Sequence, residues 1–183
     1  MKLTPLQQEF VLHFGEMGSR WGIARTVGQI YAVLFLSERP LNAEDITKAL
    51  GVSRSNTSMG LKELQAWNLV RLRHLPEDRR DYFTTPDDLW EIVRTLIAER
   101  KKREIDPTLS KLRELEMQGT QGEPYAEARI AELREMIELM TGFYEDMNRL
   151  ETERLVSLMT LGAKLGGLVE KTNRFNPFNR VKS

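Results

Sequence analysis

Along most of the chain apolar residues recur every three or four positions, which predicts helices; the interruptions define the layout. Leu3, Leu6, Phe10, Val11, Phe14 and Met17 predict a helix over residues 3–19. Gly18 and Gly22 bracket Trp21 and mark a break. Ile23, Val27, Ile30, Tyr31, Leu34 and Phe35 predict a second helix over 23–37. Pro40 ends it, because the proline ring disfavours the helical conformation of the residue before it. Asn42 is a suitable N-cap, and Glu44 and Asp45 in the first turn suit the positive end of a helix. Ile46, Ala49 and Leu50 form the buried side of this third helix, and Gly51 closes it as a left-handed cap. Only Val52 intervenes before Ser53, a second cap, which starts a helix from Arg54 to about Ala66. Two short helices joined by a tight turn containing Gly have the helix-turn-helix layout.

After Asn68 the period shortens. Residues 69–73 alternate loosely and predict a strand, Pro76 to Arg80 a polar turn, and residues 81–85 the returning strand. A β-hairpin directly after a helix-turn-helix is a wing. Pro86 and Asp87 open a long helix predicted to run through the basic run at 100–103 to about Met117, with Pro107 a candidate kink. Gly119 to Gly122 form a loop. From Tyr125 the helical spacing runs through Met136, Met140, Phe143 and Met147 to Leu168. One small domain cannot cover that much apolar surface, so self-association is expected. The expected fold is mainly α with a small β-hairpin wing. Residues 1–22 form an N-terminal helix joining the dimerisation region, 23–86 the winged helix-turn-helix domain, 87–171 a helical dimerisation region and 172–183 a basic tail.

The helix 54–66 carries the clearest candidate chemistry. Thr57, Gly60, Leu61 and Leu64 fall on one side, spaced for a core face. The other side presents Arg54, Ser55, Asn56, Ser58, Met59 and Lys62. Arg reads guanine bidentately, Asn reads adenine, Ser reaches bases or phosphate, and Met can touch a thymine methyl. Ser53 and Ser55 lie where backbone N–H groups already point outward, which suits phosphate. Arg79 and Arg80, at the tip of the wing, can reach the neighbouring minor groove or backbone. Asp78 and Asp81 are expected to pair with these arginines.

Composition changes this picture only when taken by segment. The 183 residues hold 27 basic and 27 acidic side chains, a formal net charge of zero, which at first argues against a polyanionic partner. Residues 51–85 nevertheless carry net +2 and residues 171–183 net +4, while 86–170 carry net −6. The asymmetry separates a basic reading head and a basic tail from an acidic helical body. With no cysteine and only His13 and His74, there is no disulfide framework, no thiolate nucleophile and little for a metal site. No catalytic residue, metal ligand or cofactor is therefore expected, and the protein is not expected to be an enzyme. No apolar run approaches the ~18 residues needed to span a bilayer, and residues 1–9 lack an apolar signal core, so a cytoplasmic protein without a membrane partner is expected.

Residues 17–22 (Met-Gly-Ser-Arg-Trp-Gly), 25–31, 40–46, 52–59 and the Arg-Arg-Asp-Tyr-Phe of 79–83 resemble GbsR-type regulators within the MarR superfamily, over roughly residues 10–95. The resemblance implies a homodimeric winged-helix transcription regulator, usually a repressor, acting on double-stranded DNA. Some members of that group sense choline and control glycine betaine synthesis or uptake. The chain departs from the pattern at Asn68, where Gly is common, and at Glu77 and Asp78, where the wing often carries a Gly.

Choline would be recognised by aromatic faces around its quaternary ammonium. Phe14, Trp21, Tyr31 and Trp90 are the candidate ligand-binding residues, although Phe14 and Tyr31 equally occupy core helical positions. Two other readings stay open: a MarR-like regulator of a different ligand or stress signal, and a winged-helix protein-interaction module without DNA. A two-fold dimer calls for a near-palindromic operator with half-sites about one helical turn apart.

Overall fold

A computed structural model describes residues 2–20, 22–76, 78–119 and 123–174, with side chains as far as Leu165. Trp21, Glu77 and residues 175–183 of the expected tail lie outside the described residues. The chain forms α1 (Pro5–Arg20), α2 (Arg25–Phe35), β1 (Leu41–Asn42), α3 (Ala43–Leu50), α4 (Arg54–Ala66), β2 (Arg71–His74) and β3 (Asp81–Thr84). There follow α5 (Leu89–Arg100), a π-helical turn (Lys101–Ile105), α6 (Asp106–Gln118), α7 (Pro124–Asn148) and α8 (Thr152–Arg174). Two compact units result, Met1–Asp106 and Pro107–Ser183. Among the described residues no helix is long and apolar enough to cross a membrane.

In the first unit, local chemistry sets the short helices. The Asn42 side chain accepts from the amides of Glu44 (2.9 Å) and Asp45 (3.0 Å), and Asp45 accepts in return from the Asn42 amide (3.4 Å). This reciprocal box satisfies donors that the first turn leaves without partners. Gly51 ends α3 at φ 66°, a conformation that costs a side chain about 1–2 kcal/mol. Ser53 accepts from the Asn56 amide at 3.1 Å and starts α4.

The core lies where α2, α3, α4 and the sheet meet. Ile30, Val33, Leu34, Leu41 and Ile46 are essentially inaccessible, and Leu61, Leu64, Leu69, Val70 and Phe83 pack with them. Helix α1 adds Val11 to this core and lies along α2 through stacked rings: Phe10 on Phe14 (4.3 Å between centroids), Phe10 on Phe35 (5.9 Å) and Tyr31 on Phe35 (6.2 Å). Gly28 permits that approach. A Cβ there would lie 2.7 Å from the Phe14 carbonyl oxygen, a backbone atom that cannot step aside.

The wing is part of a three-stranded antiparallel sheet in the order β1-β3-β2, with Leu41 opposite Phe83 and Leu72 opposite Phe83 on the other side. The expected hairpin thus gains a third strand. Leu41–Asn42 is too short for periodicity to reveal, and the same Asn42 also caps α3. The first wing strand starts at Arg71 rather than at residue 69, because Leu69 and Val70 turn into the core instead of pairing.

In the second unit, Arg134 of α7 reaches Glu116 of α6 (2.6 Å) and Glu138 (2.5 Å), and Arg113 reaches Glu138 (2.7 Å). The single helical stretch expected from Tyr125 to Leu168 is two helices. At the break the Leu150 amide closes on Met147 (3.2 Å), and Glu151 accepts from Leu155 (3.0 Å) to open α8. Apolar spacing counts side chains and does not register so short a backbone interruption. Met136, Leu139, Met140 and Phe143 of α7, and Val156, Met159, Leu161 and Leu165 of α8, are exposed.

Candidate nucleic-acid interface

Helix α4 divides as its spacing predicts. Thr57, Gly60, Leu61 and Leu64 are buried, while Arg54, Ser55, Asn56, Ser58, Met59 and Lys62 are exposed, as is Ser53 at the cap. Thr57 is a polar residue in the core whose hydroxyl meets that of Thr47 at 2.9 Å and donates to the Ser53 carbonyl at 3.2 Å. This pairs α3 with α4 without an unsatisfied polar group. Gly60 lets α2 approach: a Cβ would lie 2.5 Å from Cδ1 of the fully buried Ile30.

Tertiary packing then joins helix and wing. A groove of about 490 Å³ is lined by Arg54, Ser58, Lys62 and Gln65 of α4, by Asn42, Ala43 and Glu44 at the start of α3, and by Arg80, Asp81 and Phe83 of the wing. Three cations, Arg54, Lys62 and Arg80, face two carboxylates, Glu44 and Asp81. Glu44, by sequence only a helix-start acid, is one of the groove's lining residues. The Lys48 ammonium 2.8 Å away holds its carboxyl below the usual range, with smaller contributions from Arg54 and Arg80. Nothing in the sequence signals that Glu44 and Gln65 share a groove with the wing.

The wing tip is internally braced. Asp78 accepts from Arg80 Nε (3.0 Å) and Nη2 (2.5 Å), from the Arg80 amide (2.9 Å) and from the Tyr82 hydroxyl (2.8 Å). These donors, the Arg80 guanidinium first, hold the Asp78 carboxyl well below the ordinary carboxylate range. The same contact raises the Arg80 guanidinium further above its usual value, and Arg80 also lies 5.6 Å from the Tyr82 ring centroid. Asp78 thus pairs with a wing arginine as expected. Asp81 does not: it lies across the strands from His74, with 3.8 Å between Oδ1 and Nδ1, because the β2–β3 register sets those two opposite each other. Arg79 is exposed at the tip.

The candidate ligand residues divide. Phe14 and Tyr31 line one cavity of about 380 Å³ together with Phe35, Val27, Ile92, Leu96 and other apolar side chains from α1, α2, α4 and α5, and with Arg100. Trp90 is half-buried on α5 and is not among the lining residues; Trp21 lies outside the described residues. The Tyr31 hydroxyl is buried and has no hydrogen-bond partner among the described residues. Burial pushes its pKa up to about 12.

Comparison with known proteins agrees with this geometry. Residues 21–81, from the approach to α2 to the first residue of β3, match the model of the MarR family. A Bacillus subtilis (strain 168) protein that carries the provisional name of HTH-type transcriptional regulator YvaV is 20% identical over 156 residues, spanning 81% of this chain and 88% of its own. A crystal structure of a transcriptional regulator superposes with TM-score 0.62 at 20% identity, covering 79% of this chain and 96% of that one. The structure of MepR, a transcription regulator of the Staphylococcus aureus multidrug efflux pump MepA, gives TM-score 0.37 at 19% identity, covering 74% and 93%. The fold is a winged helix followed by long helices, like that of the regulator with TM-score 0.62.

Proposed function

We propose that the chain is a MarR-family transcription regulator, of the GbsR type, which acts as a homodimeric repressor on near-palindromic duplex DNA. The observation that carries this reading is the divided face of α4. Arg54, Ser55, Asn56, Ser58, Met59 and Lys62 stand exposed on a helix whose opposite face is locked into the core, next to a wing that carries Arg79 and Arg80. The N-terminal part of α4 enters the major groove with Arg54 and Asn56 at base edges. Ser53, Ser55 and Lys62 meet phosphate, and the wing arginines follow the adjacent minor groove. Helices α7 and α8, from the dimerisation region 87–171, pair with those of a second copy through their exposed apolar residues.

A mobility-shift titration on the DNA upstream of its own gene tests this. Arg54→Ala and Asn56→Ala are each expected to cost about 1–3 kcal/mol in operator binding, the worth of one bidentate base contact, with no change in sedimentation. If the wild-type protein does not shift that DNA even at low salt, the reading is wrong.

In the GbsR-type reading the effector is choline, which relieves repression of glycine betaine synthesis or uptake. The cavity favours the alternative of a different ligand. A quaternary ammonium prefers a cage of aromatic faces, whereas this lining is mostly aliphatic and its charged member, Arg100, pairs with Glu104 at 3.3 Å. A neutral apolar compound fits that chemistry better. Choline and betaine titrated separately into the protein–DNA complex discriminate: release by choline alone supports the first, and no response to either supports the second.

A further inference from the structure

A helix that reads DNA must be held at both ends. The N-terminal end of α4 is tied by the Ser53 cap and the Thr47–Thr57 contact. Its C-terminal end has no basic residue in the last turn and runs into Trp67 and Asn68. Asn68 is the one non-glycine among the described residues with positive φ, at 53°. The Asn68 and Leu69 amides turn back onto the carbonyls of Gln65 (2.9 Å) and Leu64 (3.0 Å), so the backbone caps those two, while the last carbonyls stand at the negative pole of the helix dipole.

What meets them comes from far along the chain. Arg103, in the π-helical turn after α5, donates from Nη2 to the carbonyl of Ala66, the last residue of α4, at 2.6 Å. Its guanidinium lies 4.5 Å from the Trp67 ring centroid, within cation–π range. Its Nε reaches one oxygen of Glu99 at 3.3 Å. The other Glu99 oxygen accepts from the Asn68 side-chain amide at 2.8 Å. Glu99 is only 8% exposed, and a buried carboxylate is tolerated only when its oxygens are paired. The π turn that carries Arg103 is itself a rare local geometry, found frequently at functional sites. The backbone turn at Asn68 already caps α4, so a charged link added beyond it points to a demand on position.

We propose that Glu99 and Arg103 are positioning residues that lock the C-terminal end of α4, and with it the start of the wing, in the geometry that reads DNA. The claim about DNA rests on the function proposed above; the lock itself does not. As positioning residues they act without touching DNA, so their loss must lower sequence-specific binding without removing a phosphate contact.

The test uses the full-length protein and the variants Arg103→Met and Asn68→Gly. The second keeps the positive φ and deletes the amide that holds Glu99. Two quantities are read: binding to the upstream duplex and to a scrambled duplex over a salt series, and amide exchange at Trp67, Asn68 and Leu69. Arg103→Met is expected to weaken binding to the upstream duplex about tenfold, as for the loss of a charged hydrogen bond. Binding to the scrambled duplex and the salt slope stay unchanged, and the three amides exchange faster. Asn68→Gly shifts both readouts in the same direction by less. Wild-type binding and exchange in Arg103→Met would overturn the proposal. So would an equal loss on both duplexes with a shallower salt slope, because that would make Arg103 a phosphate contact. If Arg103→Met fails to fold, Asn68→Gly decides by the same two readouts. If the wild-type protein does not prefer the upstream duplex, the DNA reading falls, and exchange at the three amides decides whether the lock exists.

Discussion

Gly60 and Asp78 show how single positions tune the reading head. Gly60 has ordinary helical geometry; its role is steric, since Ile30 lies against it and is wholly buried. Gly60→Ala is therefore expected to destabilise the protein by about 1–3 kcal/mol, as overpacking does, and to lower the urea midpoint without changing the slope. Asp78 works through charge. Its carboxyl pKa is depressed in the folded wing by Arg80 and Tyr82, so its contribution is present at neutral pH. That contribution is complete above the ordinary aspartate value of about 3.9 and is lost progressively as pH falls from there to the lower folded value. In an NMR titration the Asp78 carboxyl should titrate below the ordinary aspartate value. Asp78→Asn should remove the acid-side change in the Arg80 and Tyr82 resonances. An ordinary Asp78 midpoint would mean that the brace does not persist in solution.

At the scale of elements, α1, α2, α4 and α5 enclose an apolar cavity lined in part by Tyr31, whose hydroxyl is buried. Because burial raises this phenol to about 12, Tyr31 should ionise late in an ultraviolet titration. The sign follows from linkage. The unfolded chain ionises near 10, so this contribution to stability is complete below that pH and is lost as pH climbs toward 12. Since the hydroxyl has no partner among the described residues, Tyr31→Phe should cost less than about 0.5 kcal/mol, below the usual worth of a hydrogen bond. A larger loss by urea denaturation would reveal a partner for the hydroxyl. The fate of α4 also belongs to this scale. Its start is set by neighbours in sequence, Ser53 and Asn56, but its end is met by a guanidinium 37 residues away.

At the scale of the whole molecule, the second unit leaves a stripe that water does not favour. Leu139, Met140 and Phe143 are 74%, 63% and 65% exposed and recur at helical spacing. Burying such side chains contributes roughly 1.5–3 kcal/mol each, enough together to drive pairing. Met140→Glu with Phe143→Glu should convert a dimer into monomers in sedimentation and weaken DNA binding by removing one of two half-sites. A monomeric wild-type protein would remove the dimer from the proposal. The net charge of zero also resolves here, as a basic head of net +2 over residues 51–85 against an acidic stretch of net −6 over 86–170.

Features that depend on near neighbours are legible in the chain alone. Cap chemistry at Asn42, Gly51 and Ser53 is decided within four residues, and so is the division of α4 into Thr57, Gly60, Leu61 and Leu64 against six exposed polar or reading residues. The wing followed from the change of period after Asn68. Only the tertiary structure decided what depends on segments far apart in the chain. The third strand needs Leu41 opposite Phe83, Asp81 meets His74 through strand register, and Glu44 joins the groove when α3 packs beside the wing. Phe14 and Tyr31 share a cavity, yet Trp90 does not line it, because spacing along a helix gives a face and not the neighbour that covers it. Arg103 reads in sequence as one more cation in a basic run. Packing of α5 beside α4 brings its guanidinium to the end of the recognition helix, where a charge and a carbonyl meet.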